Sequence, residues 1–542
     1  MESCARGPEM PLEKRTTHQV LANTVARFPD REALVVNHQN IRLTWGELAR
    51  EVERTARGLI GLGLQPGDRV GVWATNCAEW IYLQLGCARA GLVQVNVNPA
   101  YRAHELRYVL KKSGMKALVL RAQDSRSNYR EILEEARRGE DLPLRHVIYL
   151  GPDDLSDASW ERIIANGVEI GDGPTDCHAV VNIQYTSGTT GSPKGVLLTH
   201  HNLLNNGRVI LDGMRFTDAD RICVPVPMYH CFGCVGGTMA AIMSGAAILL
   251  PAPTFDPLAT MQMIHAERAT VIYGVPTMFI AQLQHPEFSR FDFSSLRTGV
   301  MAGAPCPIEI MKRVVEDMHC PQMTIMYGQT ESSPVITMAS VDDSIERRVA
   351  TVGCACGSTE VKIVGPDGGT VPLGEQGELC TRGYLVMKGY DQEPEATARA
   401  IDQDGWLHTG DLATMRPDGY FRITGRLKDM IIRGGENVYP REVEEFLYTH
   451  PKIADVQVVG LPDEKLGESV AAWIRLKAGE SATEDEIREF CRGKIAHFKI
   501  PQYLRFVDAF PMTVTGKIQK FLIRQAEIKD RRLERAAEIQ TA

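Results

Sequence analysis

The segment from Tyr185 to Gly195 has the residue types of a phosphate-binding loop. Its sequence, YTSGTTGSPKG, directly follows a largely apolar run. Glycines without a Cβ let backbone N–H groups approach anionic oxygens, the hydroxyl side chains add donors, and Lys194 supplies a positive charge. The alternative is an ordinary surface turn, which such clusters form more often. The order of the residues excludes a Walker A loop, because no glycine directly precedes Lys194 and no hydroxyl residue follows it.

The bulk properties restrict the class of protein. With 542 residues, the chain is longer than one hydrophobic core usually serves, which predicts two or more domains. The formal charge of −8 disfavours nucleic acid as a partner. The thirteen cysteines follow no regular framework, which is typical of reduced thiols in the cytoplasm. The N-terminal MESCARGPEMPLEKR lacks the apolar core of a secretory signal, while its basic residues leave organelle import open.

Two features could suggest a metal site or a membrane span. Cys231 and Cys234 form a CxxC pair, and a CxC pair lies more than a hundred positions further on, but a four-thiolate zinc site needs two well-spaced pairs of one kind. Small buried residues are the favoured interpretation of these cysteines. The uncharged stretch from Cys231 to Phe255 contains several glycines and two prolines, so we expect a buried helix followed by a buried strand and no transmembrane segment.

Alternating β-rich and helical patterns predict an α/β fold. Val70 to Trp73 and Ala117 to Leu120 are predicted strands, and Thr44 to Leu62 is a predicted helix with Thr44 as its N-cap and Glu47 three residues on. Val180 to Tyr185 is a predicted strand that leads into the glycine-rich loop. We expect Val196 to Leu198 to return as a second strand, with Thr199 capping the next helix. The loop would then join two strands, unlike a Walker loop.

After Arg426 the pattern indicates a separate α/β domain of about 110 residues, within the usual range for a domain. The predicted elements are a helix with Pro440 near its first turn, two strands, a helix opened by Thr483 with Glu486, and a final strand; they cover 441–449, 456–459, 470–476, 483–491 and 503–507. The predicted domains are therefore residues 1–427 and 428–542.

Five further segments carry residues suited to a nucleotide and its metal ion. They are YGQTE at Tyr327–Glu331, WLHTGD at Trp406–Asp411, GRLKD at Gly425–Asp429, RGGENVYP at Arg433–Pro440 and PMTVTGKI at Pro511–Ile518. A flat ring suits a purine face, and a carboxylate suits a hard cation that bridges phosphates. An Asp can accept from both hydroxyls of a sugar diol, and an Arg can donate to the same sugar.

These segments, in this order from about residue 20 to residue 520, resemble the adenylate-forming superfamily of acyl-CoA synthetases, peptide-synthetase adenylation domains and luciferases. The resemblance implies a large multi-subdomain N-terminal AMP-binding domain and a small mobile α/β C-terminal domain, joined by a hinge at Lys428. It implies ATP, Mg²⁺ and CoA as cofactor and co-substrates, with no nucleic acid partner. A homodimer is compatible with it, although the sequence does not decide the oligomeric state.

The resemblance also implies roles for individual residues. ATP or AMP would contact Thr186, Ser187, Gly188, Thr189, Thr190, Gly191, Lys194, Gly303, Ala304, Pro305, Tyr327, Gly328, Gln329, Thr330, Asp411 and Arg426. The acyl group would contact His230, Phe232, Gly233, Val275, Pro276, Thr277, Gly303 and Gly328, and CoA would pass Gly434, Gly435 and Glu436. Catalysis would use Lys517, Thr330, Glu331 and His230, and Glu331 would also hold Mg²⁺.

Three of these roles can also be weighed on physical grounds. Lys517 would bridge the attacking carboxylate and the nucleotide, and thereby stabilise charge in the pentavalent transition state at the α-phosphorus. A lysine on an ordinary surface turn is the alternative. Gly435 would let the thin pantetheine arm pass closely, because glycine has no side chain. His230 would gate the acyl site, although a lone His is more often structural.

The acid is predicted from the pocket-facing segments. Amino-acid adenylation domains place an Asp in the segment equivalent to YHCFGCVG, which here has no carboxylate, and a buried unpaired ammonium would be costly. Acetyl-CoA synthetases have a bulky aromatic residue where this chain has Gly328, which we take to favour a longer acid. The sequence is most similar to medium-chain fatty acyl-CoA synthetases. An aryl-acid CoA ligase and a non-catalytic acyl-CoA or adenylate binder are the alternatives.

Overall fold

The computed structural model describes residues 1–124, 127–151, 159–186, 193–304, 306–433, 436–463, 465–513 and 518–533, with the backbone alone at positions 428 and 437. The chain divides into two compact units. The larger unit contains residues 5–361 and 381–408, and the smaller unit contains residues 1–4, 362–380 and 409–542.

The strands of the described residues are β1 Cys4–Arg6, β2 Glu32–Val36, β3 Ile41–Thr44, β4 Arg69–Trp73, β5 Val93–Asn96, β6 Ala117–Arg121, β7 His146–Leu150, β8 Val180–Thr186, β9 Lys194–Thr199, β10 Arg221–Cys223, β11 Ala247–Leu250, β12 Val271–Gly274, β13 Thr298–Ala302, β14 Gln322–Gly328, β15 Val335–Met338, β16 Cys354–Ala355, β17 Thr359–Val364, β18 Gly377–Gly383, β19 Gly389–Tyr390, β20 Leu407–Met415, β21 Phe421–Arg426, β22 Ile431–Arg433, β23 Glu436–Val438, β24 Ile453–Asp463, β25 Gly467–Leu476 and β26 Tyr503–Phe506.

The α-helices are α1 Thr17–Arg27, α2 Trp45–Gly61, α3 Ala78–Ala90, α4 Ala103–Ser113, α5 Tyr129–Arg137, α6 Trp160–Ala165, α7 His200–Met214, α8 Cys231–Gly233, α9 Ala240–Ser244, α10 Pro257–Glu267, α11 Pro276–Leu283, α12 Ile308–Glu316, α13 Ile345–Ala350, α14 Pro394–Ala400, α15 Pro440–Tyr448, α16 Glu484–Cys491 and α17 Lys520–Arg531. A π-helical stretch, Cys234–Met239, connects α8 to α9. Single 3₁₀ turns occur at Asn37–Gln39, Phe288–Arg290, Thr330–Ser332, Leu427–Asp429 and His497–Lys499.

The larger unit is built on two extended sheets. One has the strand order β16-β15-β14-β13-β12-β10-β11-β2-β3, and the other has the order β19-β9-β8-β5-β4-β6-β7. The central strands of both sheets pair in parallel, from β14 to β2 in the first and from β8 to β7 in the second. Helices cover such sheets, which explains why the central strands are almost continuously buried.

The smaller unit takes in most of the sheet β1-β17-β18-β20-β21 and all of the sheet β23-β22-β25-β24, to which β26 is added beside β25. In the second sheet, the buried faces of α15 and α16 pack on the strands: Val443 and Leu447 join Val456, Ile474 and Ile487 in one apolar core. The amphipathic spacing of these residues explains why the segment after Arg426 forms a core of its own.

The structure confirms the local predictions. Thr44 and Glu47 form a capping box at the start of α2, and Thr199 caps α7. Pro440 is the first residue of α15, and the Thr483 side chain accepts from the Glu486 backbone N–H at the start of α16. The stretch after Cys231 is a buried helix followed by a buried strand. Within the described residues, no helix combines the length and apolar character that crossing a membrane requires.

Candidate active site

The carboxyl ends of parallel strands bring three of the predicted segments to one edge of the nine-stranded sheet. Gly274 at the end of β12 pairs with Met301 of β13, and Ala302 pairs with Met326 of β14. Val275, Gly303 and Tyr327 therefore follow one another along the same edge. Ligands of open α/β sheets bind at this edge, because loops there diverge from the strand ends.

Two of the residues predicted to line the acyl pocket lie side by side at this edge. Gly303 has a φ of 85°, and a Cβ built on it would lie 3.2 Å from Cγ1 of Val275. Gly303 and Ala304 are exposed, whereas Val275 and Pro276 are buried at the start of α11 and Thr277 is exposed. A side chain at Gly303 would be strained by the backbone angle and would crowd the valine.

Position 328 is a glycine for a structural reason that the sequence did not reveal. A Cβ at Gly328 would lie 1.8 Å from the carbonyl oxygen of Pro334, because a β-bulge brings β14 and β15 together at Tyr327 and Gly328. The absence of a side chain at Gly328 therefore makes room for the backbone of Pro334. This corrects our argument that Gly328 leaves space for a longer acid, and a bulky residue there would displace the strand before it shortened a pocket.

His230 is exposed and caps the short helix α8. Its Nδ1 accepts from the backbone N–H of Phe232 at 3.1 Å, which in the neutral ring leaves the proton on Nε2. The thiol of Cys231 lies 3.6 Å from that Nδ1 and 4.0 Å from the hydroxyl of Thr330. Burial raises the pKa of Cys231 to about 12, so the thiol stays neutral. Cys231 thus connects the predicted acyl-site His to the predicted nucleotide-site Thr.

The Gly-rich start of this helical stretch is closely packed. A Cβ on Gly233 would lie 2.5 Å from the Pro227 carbonyl oxygen, so only glycine fits there. The ring of Phe232 lies 5.4 Å from that of Tyr273, whose hydroxyl donates to the Gly236 carbonyl at 2.9 Å. Phe232 therefore packs against Tyr273 of β12, the strand that Val275 directly follows.

A buried polar chain, which the sequence analysis missed, connects this stretch to the strand that enters the phosphate loop. Gln184 on β8 donates to the Cys234 thiol at 3.4 Å, and Asn182 donates to the Asn96 side chain at 2.9 Å. Asn96 in turn donates to the Tyr229 carbonyl at 3.0 Å. The signal was the placement of amides at alternate positions of β5 and β8, on one face of each strand. Buried hydrogen bonds of this kind hold neighbouring segments in one arrangement.

The two strands that flank the predicted phosphate loop form an antiparallel hairpin, as expected. Thr186 at the end of β8 pairs with Lys194 at the start of β9. Of the predicted loop residues, Ser187, Gly188, Thr189, Thr190 and Gly191 lie outside the described part of the chain. The hairpin fixes where the loop begins and ends, and it places Lys194 at the loop's exit.

Tyr390 brings two predicted residues together, and the sequence analysis did not single it out. Its hydroxyl donates to Oε1 of Glu331 at 2.9 Å, while the ammonium of Lys194 lies 4.9 Å from the centre of its ring. Burial, followed by the nearby Glu331 carboxylate, raises the pKa of the Tyr390 phenol, which therefore remains a donor. The only sequence signal was a GY dipeptide 59 positions after Glu331, which suggests no contact by itself.

The next residue holds Tyr390 in place. The backbone N–H of Asp391 donates to the Gly195 carbonyl at 2.7 Å, and β19 pairs with β9 directly after the phosphate loop. The buried Asp391 carboxylate receives two hydrogen bonds from Arg69, at 2.7 and 2.8 Å. A bidentate Arg–carboxylate pair of this kind is geometrically strict. These contacts hold the hairpin, Tyr390 and Glu331 in one arrangement within the larger unit.

Thr330 and Glu331 lie in a single 3₁₀ turn after β14. Gln329 starts the turn, and its backbone N–H donates to the Pro334 carbonyl at 3.0 Å. Thr330 is buried, whereas Glu331 is half-buried and its carbonyl accepts from the Met387 backbone N–H at 2.9 Å. The turn therefore holds a hydroxyl and a carboxylate beside the carboxyl end of β14.

The predicted ribose-binding pair lies in the smaller unit. Asp411 on β20 and Arg426 on β21 are direct cross-strand partners, and Nε of Arg426 lies 2.9 Å from Oδ1 of Asp411. Asp411 is buried and its backbone N–H donates to the Thr409 hydroxyl at 3.1 Å. The sequence prediction that these two residues act on one group therefore has a geometric basis.

The remaining predicted residues are placed as follows. Lys428 lies in the 3₁₀ turn Leu427–Asp429 between β21 and β22, and Glu436 is exposed on β23 opposite Arg433. Pro305, Gly434, Gly435 and Lys517 lie outside the described residues, so their roles stay predictions.

The donor set fits the groups that this chemistry needs. Mg²⁺ prefers carboxylate and phosphate oxygens, which Glu331 and a bound triphosphate would supply. The hydrogen bond from Tyr390 leaves Oε1 of Glu331 oriented, as ligand-orienting partners of metal sites do. A lysine at the exit of a glycine-rich hairpin fits a polyphosphate.

This α/β architecture, with residues suited to a nucleotide at the carboxyl edge of the nine-stranded sheet, is that of an adenylate-forming enzyme. Comparison with known proteins agrees. The model of the AMP-binding enzyme family matches residues 21–391, and the AMP-binding enzyme C-terminal domain matches residues 442–517. The chain belongs to the AMP-binding enzyme family.

Individual relatives cover nearly the whole chain. YngI of Bacillus subtilis (strain 168), which carries an acyl-CoA synthetase name, is 50% identical over 95% of this chain and 97% of its own length. The mitochondrial medium-chain acyl-CoA ligase ACSF2 of Bos taurus is 44% identical over 95% of this chain and 88% of its own. The anthranilate CoA ligase AuaEII, solved with anthranoyl-AMP, has a TM-score of 0.86 at 26% identity, with 96% and 99% of the two chains covered.

Proposed function

We propose that this protein is an AMP-forming acyl-CoA synthetase that activates a medium-chain fatty acid. A carboxylic acid and ATP would give an acyl-adenylate and pyrophosphate, and CoA would then replace AMP to give acyl-CoA. The observation that carries the proposal is the contact of Tyr390 with both Lys194 and Glu331, beside the carboxyl edge of the nine-stranded sheet. Near full-length identity to proteins with acyl-CoA synthetase and ligase names supports the same reaction class.

The chain's own residues suggest how the first step proceeds. In-line attack of a carboxylate on the α-phosphorus needs positioning and charge stabilisation more than covalent help. We assign Lys194 and the hairpin to the β- and γ-phosphates, so that the loop orients pyrophosphate as the leaving group. Asp411 and Arg426 would hold the ribose, and Lys517 would bridge the attacking carboxylate. Mg²⁺, when bound at Glu331, supplies positive charge to the phosphate oxygens.

The acyl side is assigned to the edge formed by His230, Phe232, Val275 and Gly303. These residues offer an imidazole and apolar surface and no carboxylate, which suits an uncharged chain and disfavours an amino acid. The medium-chain preference rests on the name of the ACSF2 relatives, since Gly328 no longer supports it. An aryl acid is the second candidate, favoured by the likeness to the anthranilate CoA ligase.

A panel of acids tests the substrate class. Purified protein with MgATP and CoA should release AMP and form acyl-CoA fastest with acids of about octanoate length, compared with acetate, palmitate, benzoate and anthranilate. A preference for the aromatic acids would establish the second candidate instead. Absence of AMP and acyl-CoA with every aliphatic acid would refute the proposal.

Three further features belong to the same proposal. We place the functional domain boundary at Lys428, which limited proteolysis with and without an acyl-adenylate analogue would test. We propose a cytoplasmic location, because the thirteen cysteines of the sequence follow no regular framework of the kind that disulfide-rich proteins show. The ACSF2 relatives carry a mitochondrial name, so organelle fractionation is the deciding experiment. Sedimentation velocity of the purified protein would decide whether it is a monomer or the homodimer that the family resemblance allows.

A further inference from the structure

Cys177, His178 and His201 form a cluster of metal-ligating side chains away from the proposed nucleotide and acyl sites. Their ligand atoms all lie within 4.8 Å of one another. The cluster joins a loop before β8 to the first turn of α7 and belongs entirely to the larger unit. Its two imidazole rings are 4.7 Å apart, centre to centre, at 50° to each other.

The orientation of His201 is that of a metal-binding histidine. Its Nδ1 lies 3.0 Å from the backbone carbonyl oxygen of Glu13, to which it donates in the Nδ1–H tautomer. Ligating histidines commonly donate one ring N–H to a carbonyl and use the other nitrogen for the metal. The amide nitrogen of Asn205 also lies 3.1 Å from Nδ1, but its two N–H groups donate to the carbonyl oxygens of Glu13 and His201, at 3.0 and 2.8 Å, and the Nδ1–H tautomer is compatible with both bonds. The Nε2 edge is therefore the one left for a ligand.

We propose that Cys177, His178 and His201 bind a zinc-class divalent ion with one thiolate and two imidazoles. Zn–N bonds of about 2.0 Å and Zn–S bonds of about 2.3 Å set the ligand atoms of a tetrahedral ion about 3.5 Å apart. Movements of the side-chain ligand atoms by roughly 1 Å would close the cluster to that geometry. A soft sulfur and two imidazoles favour Zn²⁺ over Mg²⁺ or Ca²⁺, which prefer oxygen ligands. A water molecule would complete the coordination.

The ion would clamp the base of the hairpin that carries the phosphate loop. At that base, Val180 of β8 pairs with Thr199 of β9, and the backbone N–H of His201 donates to the Cys177 carbonyl at 2.8 Å. The loop leaves the other end of the same hairpin, about 20 Å away along the seven residues of β8. The site would thus cross-link the two chain segments from which the loop extends.

Zinc is held by the thiolate form of cysteine and by neutral imidazole. Binding of the ion would therefore displace the proton of the Cys177 thiol into solvent.

The experiment measures metal binding without any catalytic assay. The chelator-treated full chain is titrated with Zn²⁺ against a chromophoric chelator and, separately, with Co²⁺, whose thiolate charge-transfer absorption reports a sulfur ligand. The variants are His178→Asn, which changes an exposed side chain and leaves the buried core intact, and Cys177→Ser. Cys4→Ser, which removes an exposed thiol elsewhere in the chain, is the matched control.

We expect one equivalent of Zn²⁺ that both site variants bind at least about 10-fold more weakly, and that Cys4→Ser retains. Co²⁺ should give the thiolate band in the wild type and lose it in Cys177→Ser. Zn²⁺ should also raise the thermal midpoint of the wild type and not that of His178→Asn. Equal Zn²⁺ affinity in the wild type and both site variants would overturn the proposal, as would the absence of a thiolate band. Neither outcome bears on acyl-CoA synthesis.

Discussion

The hydroxyl of Tyr390 offers the sharpest test of the active-site geometry. Tyr390→Phe removes the 2.9 Å hydrogen bond to Glu331 and keeps the ring that faces Lys194. A hydrogen bond to a charged group contributes about 1.5–3 kcal/mol. Glu331 is half-buried, so water partly replaces the lost donor and we take the lower end, about 1.5 kcal/mol, which corresponds to roughly a tenfold change in rate.

The expected result is a fall of about tenfold in kcat/KM for MgATP in Tyr390→Phe, together with a higher Mg²⁺ concentration for half-maximal activity, because Glu331 is less well oriented. Tyr390→Leu also removes the cation–π contact, worth about 0.5–1 kcal/mol, and should lower kcat/KM by about 50-fold in total. Pyrophosphate release, measured against ATP and Mg²⁺ separately, distinguishes the two effects.

Tyr384→Phe is the matched control for this experiment. Tyr384 lies six positions earlier, is buried, and its hydroxyl has no hydrogen-bond partner within the described residues. Its loss should leave kcat/KM and the Mg²⁺ dependence unchanged. If Tyr390→Phe matched the wild type in both quantities, Tyr390 would not position Glu331 and the reasoning would be refuted.

Three other variants test separate parts of the molecule. Lys517→Ala should abolish acyl-adenylate formation while acyl-CoA synthesis from supplied acyl-adenylate continues; equal loss of both half-reactions would remove Lys517 from its assigned role. Asp411→Asn, which weakens the pair with Arg426, should raise the KM for ATP about tenfold, at about 1.5 kcal/mol for a charged hydrogen bond, and unchanged ATP kinetics would contradict the ribose assignment. Burial lowers the pKa of His200 to about 4, and its Nδ1 accepts from the Thr17 N–H at 3.2 Å. Below about pH 6.5 the unfolded state binds the extra proton, so between pH 7 and pH 5 the wild type should lose about 2 kcal/mol more stability than His200→Gln, as measured by urea unfolding; parallel pH profiles would argue against the buried neutral ring.

Much of the local structure could be predicted from the sequence. The Thr44 and Thr199 caps, the Pro440 start of α15 and the strands on either side of the glycine-rich loop all depend on neighbouring residues, and the structure confirms them. The α/β class and the family also followed from residue patterns, because a motif carries its chemistry in a few consecutive side chains.

Other features could not be predicted because they depend on contacts between distant segments. Tyr390 meets Glu331 across 59 positions, and Asp391 meets Arg69 across 322. From the sequence, the missing side chain at Gly328 suggests space for a substrate. In the structure, close packing against the Pro334 backbone requires the glycine. A sequence shows that a side chain is missing, but it does not show what fills the space.

The sequence by itself therefore determined the elements and the family and predicted a set of residues that bind ATP, because local propensity and short motifs are encoded within a few residues. Tertiary structure alone decided which of those residues meet. Strand register set Val275, Gly303 and Tyr327 along one edge, and the pairing of β19 with β9 brought Tyr390 to Lys194. The return of β9 beside β8 likewise placed His201 against Cys177. Sheet pairing is non-local, so these contacts arise only when the whole sheet is assembled.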